Sequence, residues 1–138
     1  MLRIIVLLLL TGATVNAQMP KGIYAWWGRP ELRRDLNLSF EQQRQIQATV
    51  RQYRPRLLDI RAEVERAETD LQAEFDHSPV DQAKANQAID RLIAARSGLT
   101  RTLSELSLKL RVVLTDQQWQ ELQRRRPRGG APPDPEAR

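Results

Sequence analysis

The chain contains no cysteine and only one histidine, His77, among its 138 residues. Without thiols it has no disulfide framework and no site for a lipid at a processed terminus. Met19 is the one soft ligand expected to survive processing, so tight copper or cadmium binding is unsupported. A single histidine also excludes a His-rich metal site. His77, next to Asp76 and near Asp81, is left as a weak His/carboxylate candidate in a turn, and no metal or other cofactor is expected. Asp76-His77-Ser78 cannot act as a hydrolase relay, because sequence neighbours cannot align base and nucleophile and no oxyanion loop accompanies them. Glycine is scarce, six in all, and the nearest approach to a phosphate loop, Gly129-Gly130, falls in a Pro/Arg-rich tail. Nothing here reads as an enzyme. Beyond the first seventeen residues there is no long apolar run, so no stable membrane insertion is expected.

An excess of one charge is also missing from the body of the chain. The whole sequence has 22 basic and 17 acidic residues and a pI near 10.4. Between Arg29 and Gln123, however, fifteen Lys/Arg meet fifteen Asp/Glu, and the excess lies in Arg3, Lys21 and the last fifteen residues. A balanced, interspersed surface is a solvated one rather than a stripe that tracks phosphates, and nucleic acid is excluded as a partner.

What is present begins with an address. Residues 1–17, MLRIIVLLLLTGATVNA, have one basic residue, a short apolar core and a small-residue end, the pattern of a signal peptide cleaved after Ala17. The expected location is therefore the periplasm. Residues 18–29 (QMPKGIYAWWGR) lack an amphipathic period and read as a flexible N-terminal arm. Within it Tyr24, Trp26 and Trp27 have three possible uses: docking on the protein's own fold, gripping a client, or touching a membrane. Residues 124–138 are basic and Pro-rich and read as a disordered tail.

The domain between them, 30–123, carries a heptad-like pattern. Ile46, Val50, Tyr53, Leu57, Ile60, Val64, Ala67 and Leu71 recur at alternating steps of four and three, a long helix with one narrow seam that bends at Pro55. A second seam runs Ala85, Ile89, Leu92, Arg96, Leu99, Leu103, Leu106, Leu110, Val113, interrupted only by Arg96, with Ser97-Gly98 beside that interruption as a soft point. Between the seams, FDHSPVD offers Ser78 as a cap and Pro79 at the first helical position. The fold class is thus all-α: a long, coiled-coil-like antiparallel helical hairpin with a short C-terminal helix, whose small core calls for a second copy.

Two five-residue phrases frame this hairpin, Leu38-Ser39-x-x-Gln42 and Leu114-Thr115-x-x-Gln118. Each fits a capping box, in which the Ser or Thr accepts from the N3 amide and the Gln reaches back to the cap amide. Antiparallel arms bring the two phrases to the same open end. Apolar Leu58, Ile93, Leu108 and Val112, with Phe40 and Phe75 near the ends, remain off the seams as a client or dimer surface.

An exported, Cys-free hairpin with two L-[ST]-x-x-Q phrases resembles the Spy/CpxP family of LTxxQ-motif periplasmic proteins, which includes heavy-metal-sensor and resistance relatives. The resemblance spans about residues 36–122, with Ser39 in place of the usual Thr. It implies a homodimer, a curved all-α cradle that binds unfolded or misfolded envelope proteins without ATP, as part of the envelope stress response. The alternative it implies is a periplasmic heavy-metal sensor or resistance protein, or a regulatory partner of an inner-membrane stress sensor.

Overall fold

A computed structural model describes residues 25–126. The expected signal peptide, most of the expected arm including Tyr24, and the tail beyond residue 126 lie outside the described residues. The order of elements is a 3-10 turn at Trp26–Gly28, then α1 (Pro30–Asp35), α2 (Phe40–Asp76), α3 (Gln82–Val113) and α4 (Asp116–Arg125). Among the described residues there is no strand, and α2 packs along α3. At 37 and 32 residues, the two arms span about 55 and 48 Å at 1.5 Å per residue. α2 continues through Pro55 without a break.

The core is uneven along the hairpin. At the open end Trp26, Leu32, Leu36, Leu38, Ile46, Tyr53, Leu106, Leu110, Leu114 and Leu122 form one buried cluster to which every helix contributes or adjoins. Farther along, Val64, Ala67, Ala95, Leu99 and Leu103 form a smaller one. Beyond it the buried apolar residues of α3 are Ala85 and Ala88. The packing therefore thins from several large side chains to alanines as the arms approach the turn.

α1 and its exit turn were not expected from the periodicity. Pro30 at the first helical position, Glu31 in the first turn and Arg33 and Arg34 in the last turn suit the helix ends. Asn37 then adopts a left-handed conformation, φ 49°. Asparagine visits that region more readily than other non-glycine residues, and the turn it makes leaves Leu36 and Leu38 both buried on either side of its own exposed side chain.

Four expectations need correction. First, α3 is capped by Asp81, whose carboxylate accepts from Lys84 N at 3.1 Å, and not by Ser78; the helix starts at Gln82, with Pro79 left in the turn. An aspartate side chain caps as well as a serine and adds negative charge at a helix N-terminus. Second, the seam of α3 uses Ala88 and Ala95 rather than Ile89 and Arg96: Ala88 is fully buried, whereas Ile89 is 36% exposed and Arg96 reaches out to Glu68 at 2.7 Å. Small residues let the arms approach, and the larger side chains turn outward. Third, Gly98 is a contact point rather than a soft one. A Cβ placed on it would lie 2.6 Å from Ile60 Cδ1 of the opposite arm. Thr102, one turn on, is fully buried with its hydroxyl donating to Gly98 O at 2.9 Å. α4 also extends to Arg125, two residues past the expected end.

Gly98 and Ile60 are expected to be energetically coupled. Gly98→Ala should gain part of the roughly 1 kcal/mol by which alanine exceeds glycine in a helix, less the cost of displacing the Ile60 methyl. Ile60→Val removes that methyl, so the double variant should be more stable than the sum of the singles by at least about 0.5 kcal/mol. Urea unfolding of the four proteins measures this, and additive values would mean that the close approach imposes no constraint.

Candidate functional site

The two repeated phrases meet at the open end. In the first, Ser39 Oγ accepts from Gln42 N at 3.1 Å and Gln42 Oε1 accepts from Ser39 N at 2.9 Å. In the second, Thr115 Oγ1 accepts from Gln118 N at 3.2 Å and Gln118 Oε1 accepts from Thr115 N at 3.0 Å. Both are complete capping boxes. Leu38 and Leu114, the residue before each cap, are buried at 7% and 5% exposure.

The glutamines then do more than cap. Gln42 Nε2 donates to Gln118 Oε1 at 2.8 Å, and Gln118 Nε2 donates to Gln42 Oε1 at 3.0 Å. The remaining hydrogens go to backbone carbonyls that precede the opposite phrase: Gln42 Nε2 to Val113 O at 2.9 Å and Gln118 Nε2 to Leu36 O at 3.3 Å. Each amide thus uses two acceptor positions and two donors, the full capacity of the group. This joins the start of α2 to the start of α4 across 76 residues of sequence.

Charged and aromatic contacts surround the amide pair. Arg111, near the end of α3, donates to Leu114 O at 3.3 Å and pairs with Asp116 at 2.7 Å. Its guanidinium also lies 4.9 Å from the centre of the Trp119 ring, a cation–π contact. On the other side Arg125 pairs with Asp35 of α1 and Glu121 of its own helix, both at 2.6 Å. The hydrogen bond from Arg125 holds the Glu121 carboxyl below its ordinary range. A depressed carboxyl stabilises the fold above its unfolded pKa, and that contribution is lost as pH falls through the folded value.

The remaining candidate residues are spread over the surface. Leu58, Ile93, Leu108 and Val112 are 60%, 58%, 65% and 75% exposed. Ile93 and Leu108 line one open groove along the outer side of α3; Leu58 on α2 and Val112 lie outside its lining. Phe40 and Phe75 are exposed as well. His77, at the C-terminal end of α2, is exposed. Among the described residues no group of three or more His, Cys, Asp or Glu is placed to hold a metal ion. Of the aromatic pair in the expected arm, Trp26 is buried at 3% and packs into the open-end core, its ring edge-on to Trp27 at 6.3 Å. Nothing in the periodicity signalled this. The available signal was the pair of large aromatics directly before Gly28 and Pro30.

These features define a class: an all-α hairpin closed at its open end by two interlocked L-[ST]-x-x-Q capping boxes. The chain belongs to the heavy-metal resistance family, whose family model matches residues 4–121, and it is a Spy/CpxP-like LTxxQ member of that family. Neither the curated proteins nor the solved structures yield a match to it.

Replacing Gln42 or Gln118 by Ala should cost about 1–3 kcal/mol, because each leaves part-buried donors and acceptors unmet. Ser39→Ala and Thr115→Ala remove one cap bond each and should cost about 1 kcal/mol. The Gln42→Ala/Gln118→Ala double should cost less than the sum of its singles by at least about 0.5 kcal/mol. Denaturant midpoints give these numbers; a strictly additive pair would mean that the two amides do not depend on each other.

Proposed function

We propose that the protein is an ATP-independent, periplasmic, chaperone-like homodimer of the envelope stress response that binds unfolded or misfolded proteins. The observation that carries this reading is the set of large apolar side chains displayed outward on a thin scaffold. Leu58, Ile93, Leu108 and Val112 are more than half exposed, and Ile93 and Leu108 flank a shared groove. Apolar side chains that share an exposed groove, as Ile93 and Leu108 do, mark an interaction site more strongly than single exposed residues such as Leu58 and Val112. The groove is open rather than enclosed, and that suits an extended, non-native chain better than a small ligand. The signal-peptide pattern and family membership agree with work in the cell envelope.

A second reading is favoured by the description of the family as one of heavy-metal resistance: a heavy-metal sensor or resistance protein. His77, between Asp76 and Ser78 in the exposed turn, is the residue on which direct metal binding would depend. Calorimetry with zinc or copper separates the two readings. Heat that disappears in His77→Ala would favour the second.

Because Leu58 and Leu108 are exposed, Leu58→Gln/Leu108→Gln should change stability by less than about 0.5 kcal/mol per site. The chain processed after Ala17 should suppress light scattering by a denatured client near stoichiometric ratios, with no ATP or metal present. The double variant should suppress less while keeping its helical circular dichroism. If folded wild-type protein gives no suppression, the chaperone reading fails. If the variant loses only self-association, the same leucines form an interface between copies.

A further inference from the structure

α2 is electrically divided. Residues 42–58 include arginine at 44, 51, 54 and 56 and no Asp or Glu; residues 59–76 include seven Asp/Glu against Arg61 and Arg66. The neutral balance of the body is therefore a sum of opposed halves, and the basic half lies at the open end. Some arginines there have carboxylate partners: Arg44 with Glu41, Arg56 with Glu105, Arg111 with Asp116, and Arg125 with Asp35 and Glu121. Arg33 of α1 and Arg51 and Arg54 of α2 have no ion pair and no side-chain hydrogen bond among the described residues.

These three arginines line one concavity of about 560 Å³, between the Trp26–Gly28 turn, α1 and α2. Arg51 and Arg54, three residues apart, share a helix face. No acidic residue lines the concavity, and its apolar wall is Trp27, Ile46 and Val50. The buried Trp26 ring, edge-on to Trp27, fixes the indole at that wall. Acidic residues are as frequent as basic ones in this body, so a pocket lined by three arginines without ion pairs and by no acidic residue has an excess of positive charge. Guanidinium forks match the oxygens of a phosphate. An indole beside aliphatic side chains suits the boundary where polar headgroup meets hydrocarbon.

We propose that this pocket is a lipid-headgroup site: Arg33, Arg51 and Arg54 bind the phosphate of an anionic phospholipid, and Trp27 rests in the membrane interface beside it. The attachment is peripheral; among the described residues no helix is long and apolar enough to cross a membrane. The acidic half of α2, repelled by the same surface, directs the closed end of the hairpin away from it. A free phosphate would meet the same arginines but would have no use for Trp27, and this separates the two sources.

The test is co-sedimentation of the processed chain with phosphatidylcholine vesicles, with and without roughly one-third phosphatidylglycerol, with helix content checked by circular dichroism for every variant. Binding is expected only with the anionic lipid, and Arg51→Gln/Arg54→Gln should weaken it by about thirtyfold. Arg61→Gln/Arg66→Gln removes the same charge from the acidic half and should weaken it by less than about threefold. Trp27→Ala should weaken vesicle binding and leave helix content unchanged. Equal losses in the two arginine pairs would mean diffuse attraction and overturn the proposal, as would no binding to anionic vesicles. Tight binding of soluble glycerol phosphate that is indifferent to Trp27→Ala would make this a free-anion site and overturn the lipid assignment.

Discussion

The reciprocal amide pair between Gln42 and Gln118 is the contact on which the rest of the molecule depends. Two long helices that share one narrow seam can slide or splay at the end where no loop joins them. Here the free end is locked by groups whose hydrogen-bonding capacity is used completely. Glutamate would complete a capping box equally well. It could not serve here, because two carboxylates facing each other repel and neither could donate to Val113 O or Leu36 O. The choice of glutamine in both phrases therefore follows from their meeting, not from capping alone. A part-buried polar network of this kind is favourable only when every member is satisfied, so it specifies a single register for the two arms.

From that lock the core tapers. Leucines, Ile46, Tyr53 and Trp26 fill the open end, whereas the arms near the turn touch through alanines. Small residues permit the approach that places Ile60 against Gly98, but they bury little apolar area. Local opening should therefore start at the turn, where few buried contacts oppose it, and end at the amide pair. Among the described residues, the surfaces open to a partner include the groove lined by Ile93 and Leu108 and the concavity beside Trp27.

The long-range architecture was legible in sequence because it rests on signals that repeat. Alternating steps of four and three define two arms, and the phrases at residues 38–42 and 114–118 mark helix starts whose juxtaposition follows from antiparallel packing. What was not legible depends on single residues. α1 is too short to show a period, and its end is set by Asn37 adopting a positive φ. Docking of the aromatic segment on the fold was one of three readings left open in sequence, and the burial of Trp26 selects it; which indole enters the core was not legible, because the segment has no period. The slip from Ile89 and Arg96 to Ala88 and Ala95 is a steric choice between neighbouring positions: both patterns have the same period, and only the closeness of the opposite helix decides between them. The outward position of Leu58, Ile93, Leu108 and Val112 was visible as phase, but their division between a groove and isolated sites was not.

Charge shows why a pooled count can hide an arrangement. The balance between residues 29 and 123 correctly describes the sum, and the sum argues against a phosphate-tracking surface. Yet a helix about 55 Å long separates its halves by several Debye lengths at physiological salt, so each half presents its own sign to a partner. The acid-free stretch from residue 42 to 58 coincides with the end where α1, α4 and the amide pair converge. Rigid packing at that end holds Arg33 of α1 in register with Arg51 and Arg54 of α2, which a mobile arm could not do. The lock that closes the hairpin is thus also what turns three separate arginines into one site.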